Sequence, residues 1–163
     1  KRLPFFTEKG DLLETPWKRC GLCLSGCNAG NAENGIADDK DGFLTGEEVL
    51  DLDFEGTALV VLSACGTGRG QIQCGDGVAG LRQAFLLSGA SSVVASLWGV
   101  ADDSTAVFMA NFYETLNRET TPAEALARTQ RESIANLREK KGQAHPAAWA
   151  AFGITGRNVA VYP

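Results

Sequence analysis

Apolar positions along this chain follow two rhythms. Thr57-Ala58-Leu59-Val60-Val61-Leu62 is a continuous run rich in Val and Leu, the pattern of a parallel strand buried on both faces. Ser63-Ala64-Cys65-Gly66-Thr67-Gly68 follows, then a polar loop through Asp76-Gly77 and a helical apolar pattern from Val78 to Leu87. Ala90 to Trp98 returns to strand character (Ser91-Ser92-Val93-Val94-Ala95-Ser96-Leu97-Trp98). Two such strands joined by a helix make a βαβ unit, which predicts parallel pairing and a right-handed crossover.

Downstream the rhythm is helical. Asp102 or Asp103 caps a predicted helix reaching about Asn117, with Ala106, Phe108-Met109, Phe112-Tyr113 and Leu116 at helical spacing. Thr121-Pro122 opens another, with proline at the first helical position; Ala125-Leu126, Thr129, Ser133-Ile134 and Leu137 mark its inner face. Gly142 to Pro146 reads as a turn, Ala147 to Ile154 as a further strand, and Val159 to Tyr162 as a short tail strand. Upstream, Lys1 to Trp17 has no clear period and reads as a mobile or partner-bound segment. Cys20 to Cys27 reads as a short strand and Asn28 to Gly42 as a loop. Thr45 with Glu48 three residues later is a capping-box pattern opening a helix to about Asp51.

Composition narrows the function classes. A chain of 163 residues that is 44% hydrophobic suits one α/β domain with a real core. A formal charge of −5 argues against nucleic acid as a partner, which would require clustered Lys and Arg. No apolar run approaches the roughly 20 residues of a membrane span, and no secretory signal opens the sequence. Five cysteines, an odd number in a chain of ordinary core content, point to free thiols in a reducing cytoplasm.

The chemistry centres on Cys65. A residue just past the end of a buried parallel strand stands at the carboxyl edge of the sheet, where open α/β sheets hold their sites. Its small neighbours Ser63, Ala64 and Gly66 let a substrate approach the sulfur; a buried cysteine acting as a small hydrophobe is the competing reading. A cysteine nucleophile needs a proton acceptor, and the chain has one histidine, His145. Either His145 serves or the base lies outside this chain. As a loop residue before Pro146, it reads more simply as packing near Trp149. Asp76, Asp102 and Asp103 fall near the same edge, as helix caps or as a pocket for a basic side chain.

Other patterns carry less. Cys20-x2-Cys23-x3-Cys27 lacks a fourth ligand, and strand alternation puts Cys20 and Cys23 on opposite faces, so no metal is expected. Asp39, Asp41, Gly42 and Glu48 echo a calcium loop, but its first ligand position is Ala37. Gly66 to Gly70 lacks the Lys-Ser/Thr ending of a phosphate loop. A thiol redox role is disfavoured because no Cys-x-x-Cys opens a helix after the central strand.

Taken together, Leu62-Ser63-Ala64-Cys65-Gly66-Thr67-Gly68, Gly75-Asp76-Gly77-Val78-Ala79-Gly80-Leu81 and Ala84-Phe85-Leu86-Leu87-Ser88-Gly89-Ala90 resemble the CHAT domain. So do Ser96-Leu97-Trp98-Gly99-Val100-Ala101-Asp102-Asp103, Phe112-Tyr113 and His145-Pro146-Ala147-Ala148-Trp149, the likeness covering about Cys20 to Gly156. CHAT domains are caspase-like cysteine peptidases related to separase, often attached to tetratricopeptide repeats. The resemblance implies a caspase-like α/β fold, a mostly parallel sheet flanked by helices and incomplete without an upstream segment. Residues 1–19 would be a leading segment and 20–163 the carboxyl-terminal part of the peptidase domain.

The resemblance also implies a His-Cys dyad. Cys65 matches the nucleophile, and its backbone N–H would supply half of the oxyanion hole. The family's histidine, followed by glycine at the end of an earlier strand, has no counterpart before Cys65, and His145 belongs to a later stretch. Lys1 falls just after the point where that strand would have ended. The chain is then either the carboxyl-terminal piece of a cleaved peptidase, with the histidine on a companion fragment, or a piece inactive alone. Asp102 matches the aspartate that holds a basic P1 residue in separase-like relatives, with Asp76, Ser96 and Trp98 beside it as substrate contacts. No cofactor is implied. The implied partners are the histidine-bearing fragment, a protein substrate and a tetratricopeptide-repeat or other sensor domain, with no nucleic acid or membrane. A non-catalytic module that docks a repeat-containing partner is the alternative from a different class.

Overall fold

One strand with two apolar faces organises the molecule. In the computed structural model, residue 17 and residues 20–25, 42–63, 76–99, 102–118 and 121–161 are described. The elements are β1 (Gly21–Cys23), β2 (Phe43–Thr45), α1 (Gly46–Leu50), β3 (Val60–Leu62), α2 (Asp76–Leu87) and β4 (Ser92–Ser96). They are followed by α3 (Asp102–Leu116), α4 (Pro122–Lys141), a 3-10 turn (Pro146–Ala148) and β5 (Phe152–Gly156). All five residues of β4 are buried, whereas the run expected to be buried on both faces forms a strand only over Val60–Leu62, with Leu62 buried and Val60 and Val61 half-buried.

Alternation along β4 divides the core. Val93 and Ala95 face one cluster, with Leu62, Val49 from α1, and Leu81, Ala84 and Phe85 from α2. Val94 faces the other, with Phe108, Met109, Phe112 and Leu116 from α3, Ala125 and Leu126 from α4, and Phe152. Helices therefore cover both faces of the sheet, a three-layer α/β arrangement. Phe85 meets Phe54 edge-on at 5.0 Å, and Phe108 stacks on Phe152 at 5.3 Å.

β3 and β4 pair in parallel, with Val60 opposite Val93 and Leu62 opposite Ala95, as the βαβ reading predicts. The third strand departs from expectation. Residues 146–148 form the 3-10 turn rather than a strand, and β5 begins at Phe152. Pro146 at its first position and His145 as its cap favour a tight turn over extended backbone. β5 runs antiparallel to β4, with Ser96 opposite Phe152 and Ser92 opposite Gly156. Among the described residues the sheet is thus mixed, one parallel and one antiparallel pair, not mostly parallel. Residues 159–161 form no strand, and Tyr162 lies outside the described residues. Cys20 is buried and Cys23 exposed, so the pair does divide between faces, although only one of the two thiols is interior.

Local signals set the helix ends. Thr121 caps α4, whose first residue is Pro122, and Gly142 ends it in the left-handed region at φ 72°. Asn158, beyond β5, stitches this helix start. Its amide oxygen accepts the Ala123 N–H at 3.1 Å and its amide nitrogen donates to Thr121 Oγ1 at 3.0 Å. Gln130 Nε2 of the same helix donates to the Phe152 carbonyl at 3.0 Å. α3 begins at Asp102 itself, so Asp102 and Asp103 are its first two residues rather than its cap. Carboxylates there still suit the positive end of the helix dipole.

Thr45 and Glu48 form the full reciprocal capping box on α1. Thr45 N–H donates to the Glu48 carboxylate at 2.7 Å, and Glu48 N–H to Thr45 Oγ1 at 3.2 Å. The Thr45 N–H and, at 2.8 Å, the Thr45 hydroxyl donate to the Glu48 carboxylate and hold it below its usual range. Thr45→Ala is expected to lower stability by about 1 kcal/mol in urea denaturation. Because Glu48 titrates lower when folded, its contribution is present above the unfolded carboxyl pKa and is lost as pH falls through the folded one.

Candidate active site at the carboxyl edge of the sheet

Two strand ends, the start of β5 and two helix starts share one edge of the sheet. β3 ends at Leu62 and β4 at Ser96, and α2 and α3 start at Asp76 and Asp102. Parallel pairing puts the two strand ends side by side, with Leu62 opposite Ala95. Cys65 follows Leu62 by three positions; it lies outside the described residues, as do its glycines Gly66 and Gly68 and the loop to Gly75. Ser63, the last described residue before it, is exposed. The described backbone thus passes from the buried Leu62 to the exposed Ser63.

The other expected site residues fall on the same edge. Asp76 is the first residue of α2 and Asp102 the first of α3. Ser96 ends β4 and is buried, whereas Trp98, two residues on, is 37% exposed. Trp98 and the 45% exposed Leu97 put an apolar surface beside the strand end, the character needed to seat the stem of a long side chain.

Antiparallel β5 adds a wall that the sequence reading missed. Leu97 N–H donates to the Ala151 carbonyl at 2.7 Å, which carries the pairing past Ser96. The turn before β5 therefore reaches the same edge. Trp149, Ala151 and Phe152 line a crevice with Ser104, Thr105 and Phe108 of α3, enclosing about 10 Å³, room for about one water molecule. It stiffens the edge and does not by itself admit a substrate side chain. The signal for this turn was present in His145-Pro146, which repeats the cap-then-proline order of Thr121-Pro122.

His145 is the N-cap of the 3-10 turn, and its Nδ1 accepts the Ala147 N–H at 3.2 Å. Trp149 Nε1 donates to the Ala144 carbonyl at 3.3 Å, so the stretch is tied up in its own turn. It sits on the β5 side of β4, whereas Cys65 follows from β3, on the other side. His145 thus serves as the cap of an exposed turn.

Remaining motifs separate from the edge. Cys20 packs beneath α1 and α2, its Sγ 2.7 Å from where a Cβ on Gly46 would sit and 3.0 Å from one on Gly80. Burial pushes its thiol up, against a lowering hydrogen bond from the Gly46 backbone, which makes it a poor nucleophile. Glu48 is held in the capping box; Ala37, Asp39 and Asp41 of the calcium-loop echo, and Cys27 and Cys74, lie outside the described residues. No helix among the described residues is long and apolar enough to cross a membrane.

Comparison with known proteins bears on this edge directly. A family model for the CHAT domain matches residues 5–157. Human Tetratricopeptide repeat protein 28 is 34% identical over 116 residues, covering 71% of this chain, and its mouse counterpart is 32% identical over the same length. The chain spans about 4% of the length of either relative.

Proposed function

Because this chain belongs to the CHAT domain family, we propose that it is the carboxyl-terminal part of a cysteine endopeptidase that acts through Cys65. The observation that carries the reading is the sequence position of Cys65, three residues beyond the end of β3, whose parallel neighbour β4 ends beside it. A free cysteine thiol, with a pKa of about 8.5, is only a few per cent thiolate at neutral pH. An imidazole from a companion chain or upstream fragment takes the thiol proton, since the chain's one histidine caps a turn across the sheet.

The thiolate then attacks the scissile carbonyl carbon. The resulting oxyanion is held by the Cys65 backbone N–H and a second N–H from the companion. Collapse breaks the C–N bond, the imidazolium protonates the departing amine, and a thioester remains on Cys65. Water, deprotonated by the same imidazole, attacks the thioester to release the acid and restore the thiol.

A basic P1 side chain suits this edge, with its stem against Trp98 and Ser96 and its charge toward Asp102 and Asp76. Asp102→Asn is expected to reduce the preference for P1 Arg over P1 Leu by about tenfold to a hundredfold in kcat/KM, the loss of one charge-assisted pair. An unchanged ratio on a matched substrate pair would remove Asp102 from the P1 site.

The second reading is a non-catalytic module that docks a repeat-containing partner. The repeat proteins among its relatives favour it. The test is intact-mass labelling by a peptidyl-arginine chloromethyl ketone, with and without the upstream segment carrying the histidine. A single adduct on Cys65 only when that segment is present supports the peptidase. No adduct from this or a mixed-P1 probe set supports the docking module.

A further inference from the structure

Away from the candidate active site, an open groove of about 460 Å³ lies where α1 and α2 end and the chain turns toward β3. Its walls carry Asp51, Asp53 and Glu55 against one cation among the described residues, Arg157. Its apolar lining includes Leu52 and Leu87, which are 46% and 62% exposed. The carboxyl end of a helix carries partial negative charge and ordinarily draws Lys or Arg. Neither α1 nor α2 has a basic residue in its last turn, and Asp51 is the C-cap of α1. Two helix ends and three carboxylates therefore make a negative groove with an apolar lining, which calls for an occupant that is both basic and apolar.

The chain, whose formal charge is −5, holds the complement on α4. The buried residues of this helix, Pro122, Ala125, Leu126 and Thr129, all lie in its first half. Beyond them Arg131, Ile134, Arg138 and Lys141 fall at spacings of three, four and three, which sets them on one stripe of the helix. The three cations are exposed and Ile134 is half-buried. Lys140 adds a fourth positive charge in the last turn. This end of α4 thus joins positive charge to an aliphatic side chain, opposite in sign to the groove.

The two surfaces belong to opposite ends of the molecule. α1 and α2 cover the Val93 and Ala95 face of β4, and α4 covers the Val94 face. Ser88 and Gly89 put the groove before the start of β4, and its Arg157 follows Gly156, the residue opposite Ser92. α4 leads away from there. Asn158 holds its start, and Gln130 reaches Phe152, opposite Ser96 at the end of β4. The eleven residues from Arg131 to Lys141 rise about 16 Å further. With the five residues of β4 spanning about 17 Å, the cationic end is about 30 Å from its own groove and on the other face. Contact between them therefore requires two molecules. We propose that the Arg131–Lys141 end of α4 docks in the Asp51–Glu55 groove of a second copy of this chain, with Arg138 and Lys141 on the carboxylates and Ile134 on Leu52 and Leu87. Because the two patches differ, the contact is head-to-tail and leaves one groove and one helix end open for further copies.

Sedimentation velocity of the full chain at low salt, from micromolar to near-millimolar concentration, tests this. The expected result is a mass that passes beyond the dimer as concentration rises and falls back in high salt, where exposed charges are screened. Arg138→Gln/Lys141→Gln neutralises the helix end, and Asp51→Asn/Glu55→Gln neutralises the groove. Asp53, whose carboxylate accepts the Glu55 N–H at 2.8 Å, is left in place. Each variant alone should associate about tenfold more weakly, the effect of losing two exposed ion pairs. An equal mixture of the two retains one intact groove and one intact helix end, so it should regain the dimer and stop there. A parent chain that stays monomeric throughout would overturn the proposal. So would association that neither pair of substitutions weakens, or a mixture that behaves as its two components do alone.

Discussion

Cys65→Ala is expected to abolish the chloromethyl ketone adduct and to lower peptide hydrolysis by the companion-completed enzyme by about 10⁴-fold or more. The magnitude follows from what the sulfur does: without it there is no thioester, and the remaining groups only orient substrate and hold an oxyanion. Folding should hardly change, because the substitution is made beyond the strand end, three positions after the last residue of β3. Thermal denaturation of the variant alongside the parent provides the control. Cys20→Ala supplies the converse: its thiol is buried and pushed up, so the variant should retain the Cys65 adduct. Hydrolysis that survives Cys65→Ala undiminished would place the chemistry elsewhere. Retention of a cellular effect by a variant with no hydrolysis would favour the docking module.

Phe112→Ala should cost about 3–5 kcal/mol in urea denaturation, a large part of the roughly 5–15 kcal/mol that holds such a domain together. Phe112 is wholly buried on the inner face of α3, in the cluster that joins Val94 of β4 to Leu126 of α4. Truncation removes the ring from where β4, α3 and α4 meet, and these anchored elements cannot simply close the gap. Tyr113, one residue on, has its ring 5.5 Å from Phe112 but is 47% exposed. Tyr113→Ala should therefore cost much less, and equal losses at the two positions would contradict the orientation of α3.

Which features could be read from the sequence depended on how local their causes are. Thr45 with Glu48, and Thr121 with Pro122, each encode a helix start within four residues, and both starts are found there. The parallel pairing of β4 with β3 followed from two strand-like runs separated by a helix, whereas the full burial expected of Thr57–Leu62 falls instead on β4. The strand after α4 was misplaced because Ala147-Ala148-Trp149-Ala150-Ala151 has no turn residue within it; the turn is set by His145 and Pro146 in front. The direction of β5 was not readable at all. It depends on where α4 delivers the chain, a tertiary fact carried by contacts such as Gln130 to Phe152. For the candidate site, the sequence pointed to the edge and to Asp76, Ser96, Trp98 and Asp102 along it. The wall formed by Trp149 and Phe152 depended on the same unread strand direction.

The Asn158 and Gln130 bonds have a consequence for how the molecule breathes. β5 is held to α4 near both of its ends, by Gln130 at Phe152 and, just past Gly156, by Asn158 at the start of the helix. An edge strand would ordinarily fray alone, at a fraction of the global unfolding free energy. Departure of β5 from β4 pulls on the Asn158 acceptor of the Ala123 amide and on its bond to Thr121, the residue that caps the helix. Strand and helix start thus behave as one cooperative unit, and isotope exchange at Ala123 reports the opening of a strand whose other end forms the wall beside Trp98.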